Sequence, residues 1–131
     1  MSNKLDKILA EISAGELIDK ITILEIKKIK IKDSAKLENV EKELLSLKST
    51  LNKAIPDLSK IQSQIEALKS VNLELWSIEN GKRLAEKNKD FGEKFIELAR
   101  SVYKSNDKRS EIKLEINNIL GSNIKEVKSH Y

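Results

Sequence analysis

The sequence predicts an all-α protein, a helical bundle of four to five helices with a long antiparallel helical hairpin and coiled-coil-like packing. Three observations carry that expectation. One Pro and four Gly in 131 residues leave few places where the chain can turn tightly, so its elements must be few and long. Apolar residues recur three and four apart over most of the chain, the period of one helix face. Charged residues make up 35% and aromatics only 4%, which suits narrow seams between amphipathic helices better than the thick interior of a sandwich or barrel. This length matches one domain, and residues 1–131 are expected to form a single helical domain with a polar C-terminal tail from about residue 122.

The first helix is expected to start at residue 14. Ser13 and Glu16 have the spacing of a capping box, in which the Ser13 hydroxyl accepts from the Glu16 backbone N–H and the Glu16 carboxylate from that of Ser13. Ile12 and Leu17 flank it as a hydrophobic staple. The helix then carries Leu17, Ile18, Ile21, Leu24 and Ile29 toward Lys32. Ile23 and Ile26 make it apolar on more than one face, so it needs burial on two sides. Asp33 or Ser34 caps a second helix, where Leu37, Val40, Leu44, Leu47 and Leu51 form a heptad seam. Pro56 interrupts that seam, because proline has no N–H for the helical ladder and drives the residue before it out of the helical region. Residues 53–57 then read as a turn between antiparallel helices, or as a kink in one. The spacing resumes at Leu58, Ile61, Ile65, Leu68 and Leu75, with Val71 beside it. This helix continues through Trp76 and Ile78 toward Lys87, weakened at Gly81 by about 1 kcal/mol relative to Ala. On this reading the helices at 37–52 and 58–80 make the long hairpin, and 91–120 closes the bundle. Asp90 and Glu93 have cap spacing ahead of a helix with Phe91, Phe95, Leu98, Ala99 and Val102 on one face. Ser105, Asn106 and Asp107 mark a break or a fresh cap before Ile112, Ile116, Ile119 and Leu120, and Gly121 suits a left-handed C-cap.

Much familiar chemistry is excluded by what is missing. The absence of Cys removes disulfides, thiolate nucleophiles and Cys-ligated zinc, and the one histidine, His130, is the penultimate residue. There is no Gly-rich phosphate loop and no Glu-x-x-His pair for a di-metal bundle, so neither a metal nor a cofactor is expected. The 25 basic and 21 acidic residues mix along every stretch instead of gathering on one basic stripe, which argues against a nucleic-acid partner. Lys4, Asp6, Lys7 and Glu11 interrupt the apolar residues of Met1 to Ile12, leaving no signal-peptide core, and no apolar run reaches bilayer length. A cytoplasmic protein with no membrane partner is the expectation.

Three polar groupings are candidate sites. Only Arg83, Arg100 and Arg109 among the basic residues are arginine, the residue whose planar fork holds carboxylate or phosphate through two parallel hydrogen bonds. Arg100, Tyr103, Asn106, Arg109, Lys113 and Asn117, with Asp107, form the densest cluster. Arg109, Lys113 and Asn117 share a helix face, and a helix starting at Asn106 would add free backbone N–H groups for an anion. Otherwise Asp107 is only a cap and Arg109 a solvated charge. Asn72, Trp76, Glu79 and Arg83 share a second face, where the only tryptophan could stack a ring, or simply belong to the core. Glu16, Asp19, Lys20, Thr22 and Glu25 make a third polar set, a site or a solvated face.

The segments Glu16 to Lys27 (ELIDKITILEIK), Asn72 to Glu79 (NLELWSIE) and Phe95 to Tyr103 (FIELARSVY), with Asn106 to Arg109 (NDKR), resemble a family of small all-helical proteins of unknown function found in bacteria and marine phages. The resemblance covers most of residues 12–131 and implies that the three groupings belong to one recurring pattern. Gly81 departs from that pattern, which leads one to expect a larger residue there. By analogy, occurrence in phages implies small helical proteins that sequester nucleotide second messengers. Three functions compete. The first is non-enzymatic binding of a small anionic, nucleotide-like ligand by a homodimer or larger oligomer, with Arg100, Arg109 and Lys113 supplying charge and Trp76 or Tyr103 stacking. The second is a helical interaction scaffold, and the third a mutase-like enzyme relying on Arg and Lys electrostatics. If Arg109 and Lys113 form an anion site, they repel one another when it is empty, and Arg109→Ala is expected to leave the melting temperature unchanged or slightly raised.

Overall fold

The computed structural model describes residues 4–129; Met1 to Asn3, His130 and Tyr131 lie outside the described residues. Helix α1 spans Ala14–Lys30, α2 Ser34–Ala54, α3 Gln62–Lys87 and α4 Glu93–Leu120, with a 3-10 turn at Ser59–Ile61 leading into α3. The bundle is all-helical, as the spacing of apolar residues predicts. Helix α1 begins where its cap does, with the Ser13 hydroxyl accepting from the Glu16 backbone N–H at 3.1 Å. The reciprocal half of the capping box is not made. The Glu16 carboxylate turns instead to Lys113, whose ammonium offers a stronger, charge-assisted bond than a neutral backbone N–H.

Helix α1 is the central element, packing against α2, α3 and α4. Most of its apolar surface is therefore covered inside one chain, with Leu17, Ile18, Ile21, Leu24 and Ile26 all buried and Ile29 left exposed. The rest of the core comes from Val40, Leu44 and Leu51 of α2, Ile61, Leu68 and Val71 around α3, and Ile112 and Ile116 of α4.

The long hairpin is made by a different pair from the expected one. Helices α3 and α4 pack closely along their length and α2 packs on α1, while α2 and α3 make no close backbone approach. The connections explain this. Three residues link α1 to α2 and five link α3 to α4, and short links make antiparallel neighbours. The seven residues from α2 to α3 contain Pro56, which lies outside both helices, and Asp57, whose carboxylate accepts from the Ser59 backbone N–H at 3.0 Å. They redirect the chain, so Pro56 marks a turn and not a kink.

Gly81 lies where α3 meets Leu98 of α4: a Cβ there would stand 3.3 Å from a Leu98 methyl, so the small residue admits the leucine. The break expected at Ser105 to Asp107 is absent, and α4 runs through it without interruption. Ser105 is buried against the bundle, and that packing overrides the weak helix preference of Ser, Asn and Asp. Gly92, not Asp90, caps α4; Asp90 acts one step earlier, its carboxylate accepting from the Gly92 N–H at 3.3 Å. Phe91 and Phe95 meet edge to face at 5.4 Å. Gly121 ends the helix in the left-handed region, φ 66°, as expected. The polar tail then folds back. Ser122 accepts from the Ala14 N–H, Glu126 accepts from the Ser13 hydroxyl at 2.7 Å, and Lys128 pairs with Asp107 at 2.8 Å.

The register of α4 on α1 is set at Gly15, where a Cβ would lie 2.5 Å from the Lys113 carbonyl oxygen and 3.0 Å from Asn117 Oδ1. In an unconstrained helix, replacing Gly with Ala stabilises by about 0.5–1 kcal/mol. Here Gly15→Ala is expected to destabilise by about 1–3 kcal/mol, because backbone must move to admit the methyl group. Urea denaturation checks this, and equal or greater stability in the variant would contradict the close approach.

Candidate functional site

The polar set on α1 divides: Lys20 is exposed and Glu25 half-buried, whereas Glu16, Asp19 and Thr22 are drawn into contacts with the other helices. Asp19 is fully buried and Thr22 nearly so, both turned toward α3 and α4. Around Asp19 the donors converge from three helices. Asn72 Nδ2 donates to Asp19 Oδ1 and to Thr22 Oγ1, each at 2.9 Å, and the Thr22 hydroxyl donates to the Asp19 carbonyl at 2.7 Å. Arg109 Nε donates to both Asp19 carboxylate oxygens at 3.0 Å, and its terminal nitrogen donates to Oδ2 as well. The remaining prong of Arg109 donates to Asn106 Oδ1 at 3.4 Å. One turn further along α4, Lys113 Nζ bonds Glu16 at 2.5 Å and stands 3.8 Å from Asp19. Asn117 Oδ1, one more turn on, accepts from the Gly15 backbone N–H at 2.7 Å.

The arrangement follows from periodicity. Residues 15, 16 and 19 of α1 meet 117, 113 and 109 of α4 in antiparallel order, and positions four apart on α4 share one face. No buried side-chain polar atom among the described residues lacks a partner. Burial alone would raise the pKa of Glu16, but the hydrogen bond and charge of Lys113, with Lys20 nearby, bring it below its ordinary value of 4.5. The bond to Asp19 raises the pKa of Arg109, against the opposing effect of burial, and keeps it cationic.

This geometry corrects the expected anion cradle. No helix starts at Asn106, so no free N–H groups point at an anion there. Arg109 and Lys113 do not repel across an empty site, because each already holds a carboxylate. Truncating Arg109 would leave Asp19 buried without its cation, so Arg109→Ala is expected to lower stability, the reverse of the sequence-based expectation. Lys20 pairs with Glu16 at 3.6 Å. Arg100 and Tyr103 stand exposed on α4 and line neither of the two depressions described next.

The stripe on α3 does come together. Asn72, Trp76, Glu79 and Arg83 line an open groove of about 400 Å³ between α1 and α3. Ile23 and Ile26 of α1 and Leu75 of α3 supply its apolar wall, while Lys27, Asn80 and the edge of Arg109 complete its polar one. Trp76 is half-buried, neither core nor freely solvated. Lys27 and Arg83 take part in no ion pair among the described residues, whereas Glu79 pairs with Lys82 at 3.5 Å. A larger depression of about 790 Å³ runs between α4 and the tail, touching Lys113 and Asn117. Asp107, Glu111 and Glu126 also line it, a poor setting for an anion. Sequence reasoning missed Lys27 and Asn80; the run of isoleucines around Lys27 read as core, and only the α1–α3 packing reveals that the lysine reaches a groove. Among the described residues no group of His, Cys, Asp or Glu could hold a metal ion, and no helix is long and apolar enough to cross a membrane.

The chain belongs to a family of unknown function, DUF6165, which matches residues 8–131. No curated protein and no solved structure matches it.

The Glu16 to Lys113 pair has a pH signature. A carboxylate whose pKa is lower folded than unfolded contributes stability that is present above the unfolded value and lost as pH falls through the folded one. Stability is therefore expected to drop as pH falls below about 4.5, Glu16's ordinary value, and the drop should be shallower in Glu16→Gln. Thermal denaturation from neutral pH down to about pH 3 reads both curves, and identical slopes would remove Glu16 from this role.

Proposed function

We propose that this chain is a non-enzymatic binder of a small anionic, nucleotide-like ligand, held in the groove between α1 and α3. One observation carries the reading. The groove combines the only tryptophan, half-buried, with two cations, Lys27 and Arg83, that no carboxylate among the described residues neutralises. An aromatic face for stacking and a planar fork for an anion are what a nucleotide needs at its two ends. The groove's inner edge is stiff, because Asn72 and Arg109 are both held by Asp19. Pre-formed walls suit binding and sequestration, and no pair of groups poised for proton transfer accompanies them in the groove. In this reading Lys27 and Arg83 take over the charge first assigned to Arg100, Arg109 and Lys113.

A second reading, self-association or a scaffold role, is favoured by a different observation. Leu5, Ile8 and Leu9 are 79%, 83% and 87% exposed on the non-helical segment ahead of α1, and Val127 is 88% exposed on the tail. Light scattering behind size exclusion distinguishes the cases: the mass of one chain at micromolar concentration would remove homo-oligomers.

Trp76 reports on its own groove, since no other tryptophan contributes to the emission. Titration with nucleotides, cyclic nucleotides and nucleotide sugars is expected to change that emission saturably for at least one class. The same ligand should stabilise the fold by about 2.7 kcal/mol at a hundredfold excess over its Kd. Emission and melting temperature unmoved by every member would overturn the binder.

A further inference from the structure

Building on the groove reading above, we infer that its ligand is a nucleoside carrying a single phosphate, as a monoester or a cyclic diester, and not a di- or triphosphate. Charge is the first argument. Of the three cations that line the groove, Arg109 is already engaged by the buried Asp19 carboxylate. Only Lys27 and Arg83 remain for an incoming anion, and the Glu79 carboxylate on the same wall subtracts from them. Lys82, which holds Glu79, does not line the groove. One to two positive charges are therefore left without a partner. A phosphate monoester carries about −1.5 to −2 at neutral pH, so a single phosphate balances the groove and each further one exceeds it.

Length is the second argument. Trp76 and Arg83 are seven residues apart on α3, roughly 10.5 Å along the helix axis at 1.5 Å per residue. Side chains on a helix lean toward its N-terminus, Trp76 and Arg83 alike, so the spacing along the axis is carried over to the ring and the guanidinium. That spacing fits one sugar and one phosphate between a stacked ring and the guanidinium, and each further phosphate would extend past Arg83. Glu79 and Asn80 project from the wall between the two ends, where a sugar would lie. The carboxylate and the amide oxygen accept hydrogen bonds from hydroxyl groups, and the same carboxylate repels a second phosphate. Ile23 and Ile26, on the opposite wall, offer apolar surface to the ring face that Trp76 would leave uncovered.

The test is a set of Trp76 emission titrations on the full chain in magnesium-free buffer containing a chelator, so that no metal masks phosphate charge. The probes are a nucleoside, its 5′-monophosphate, its cyclic 3′,5′-monophosphate, its triphosphate and inorganic phosphate. The 5′-monophosphate or the cyclic monophosphate is expected to bind about tenfold or more tighter than the triphosphate, the bare nucleoside and inorganic phosphate, and the tighter of the two identifies the ester. Glu79→Gln should narrow the preference over triphosphate by about threefold or more, by removing the repelling charge. Arg83→Ala should weaken the preferred ligand about tenfold while leaving the melting temperature of the free protein in place. Triphosphate binding as tightly as monophosphate would overturn the single-phosphate inference and leave the groove a nucleotide site. No response to any probe would overturn the groove reading itself.

Discussion

A carboxylate buried at Asp19 constrains everything packed around it. A charge removed from water must be paired and hydrogen-bonded, and a bare one would cost several kcal/mol. The chain meets that demand from two helices, with Asn72 from α3 and the fork of Arg109 from α4, while the Thr22 hydroxyl accepts from the same Asn72 amide and so holds it in place. These bonds lock the antiparallel register of α4 on α1 in a way that apolar contacts alone would not. Sliding α4 by one turn would present Lys113 or Ser105 to Asp19 in place of Arg109, with no two-pronged fork to satisfy both oxygens. Gly15 enforces the same register by a different means, admitting the α4 backbone so closely that a methyl group cannot be accommodated. A polar clamp and a steric one thus specify a single alignment of two long helices.

The clamp also decides where function can reside. Most of the densest polar cluster in the sequence is consumed by structure, since Arg109, Lys113 and Asn117 are bonded to partners on α1. The ligand proposed above is left the neighbouring groove, which shares Asn72 and Arg109 with the network as its edge. Stability and the proposed binding are therefore divided between adjacent faces of α3. The face toward α4 and the core carries Leu68, Val71 and Ile78, and the face toward α1 carries Trp76, Glu79 and Arg83.

Features that act within a few residues were legible in the sequence. The Ser13 cap, the seams on α2 and α3, the interruption at Pro56 and the left-handed Gly121 all appear where local spacing puts them. The Trp76 stripe was legible for the same reason, since residues four, three and four apart share a helix face. Pairings across the fold were not. Asp19 and Arg109 are 90 positions apart, and nothing local marks an aspartate among isoleucines as buried or a helical arginine as its partner. The same blindness misplaced the hairpin, because seams on α2 and α3 look alike whichever helix they face. Ser105 to Asp107 misled in the opposite direction, their local preference for a break being overcome by burial of Ser105 on the bundle.

The most direct test of the clamp is a double-mutant cycle of Asp19→Ala and Arg109→Ala followed by urea denaturation. Removing either partner leaves the other charge uncompensated, so each single variant is expected to lose about 3–5 kcal/mol. The double variant should lose clearly less than the two combined, with a coupling of about 2 kcal/mol or more. Additive losses, or a free-protein Arg109→Ala variant as stable as the parent, would contradict the account, for Arg109 would then be a surface arginine and the register would rest on something else.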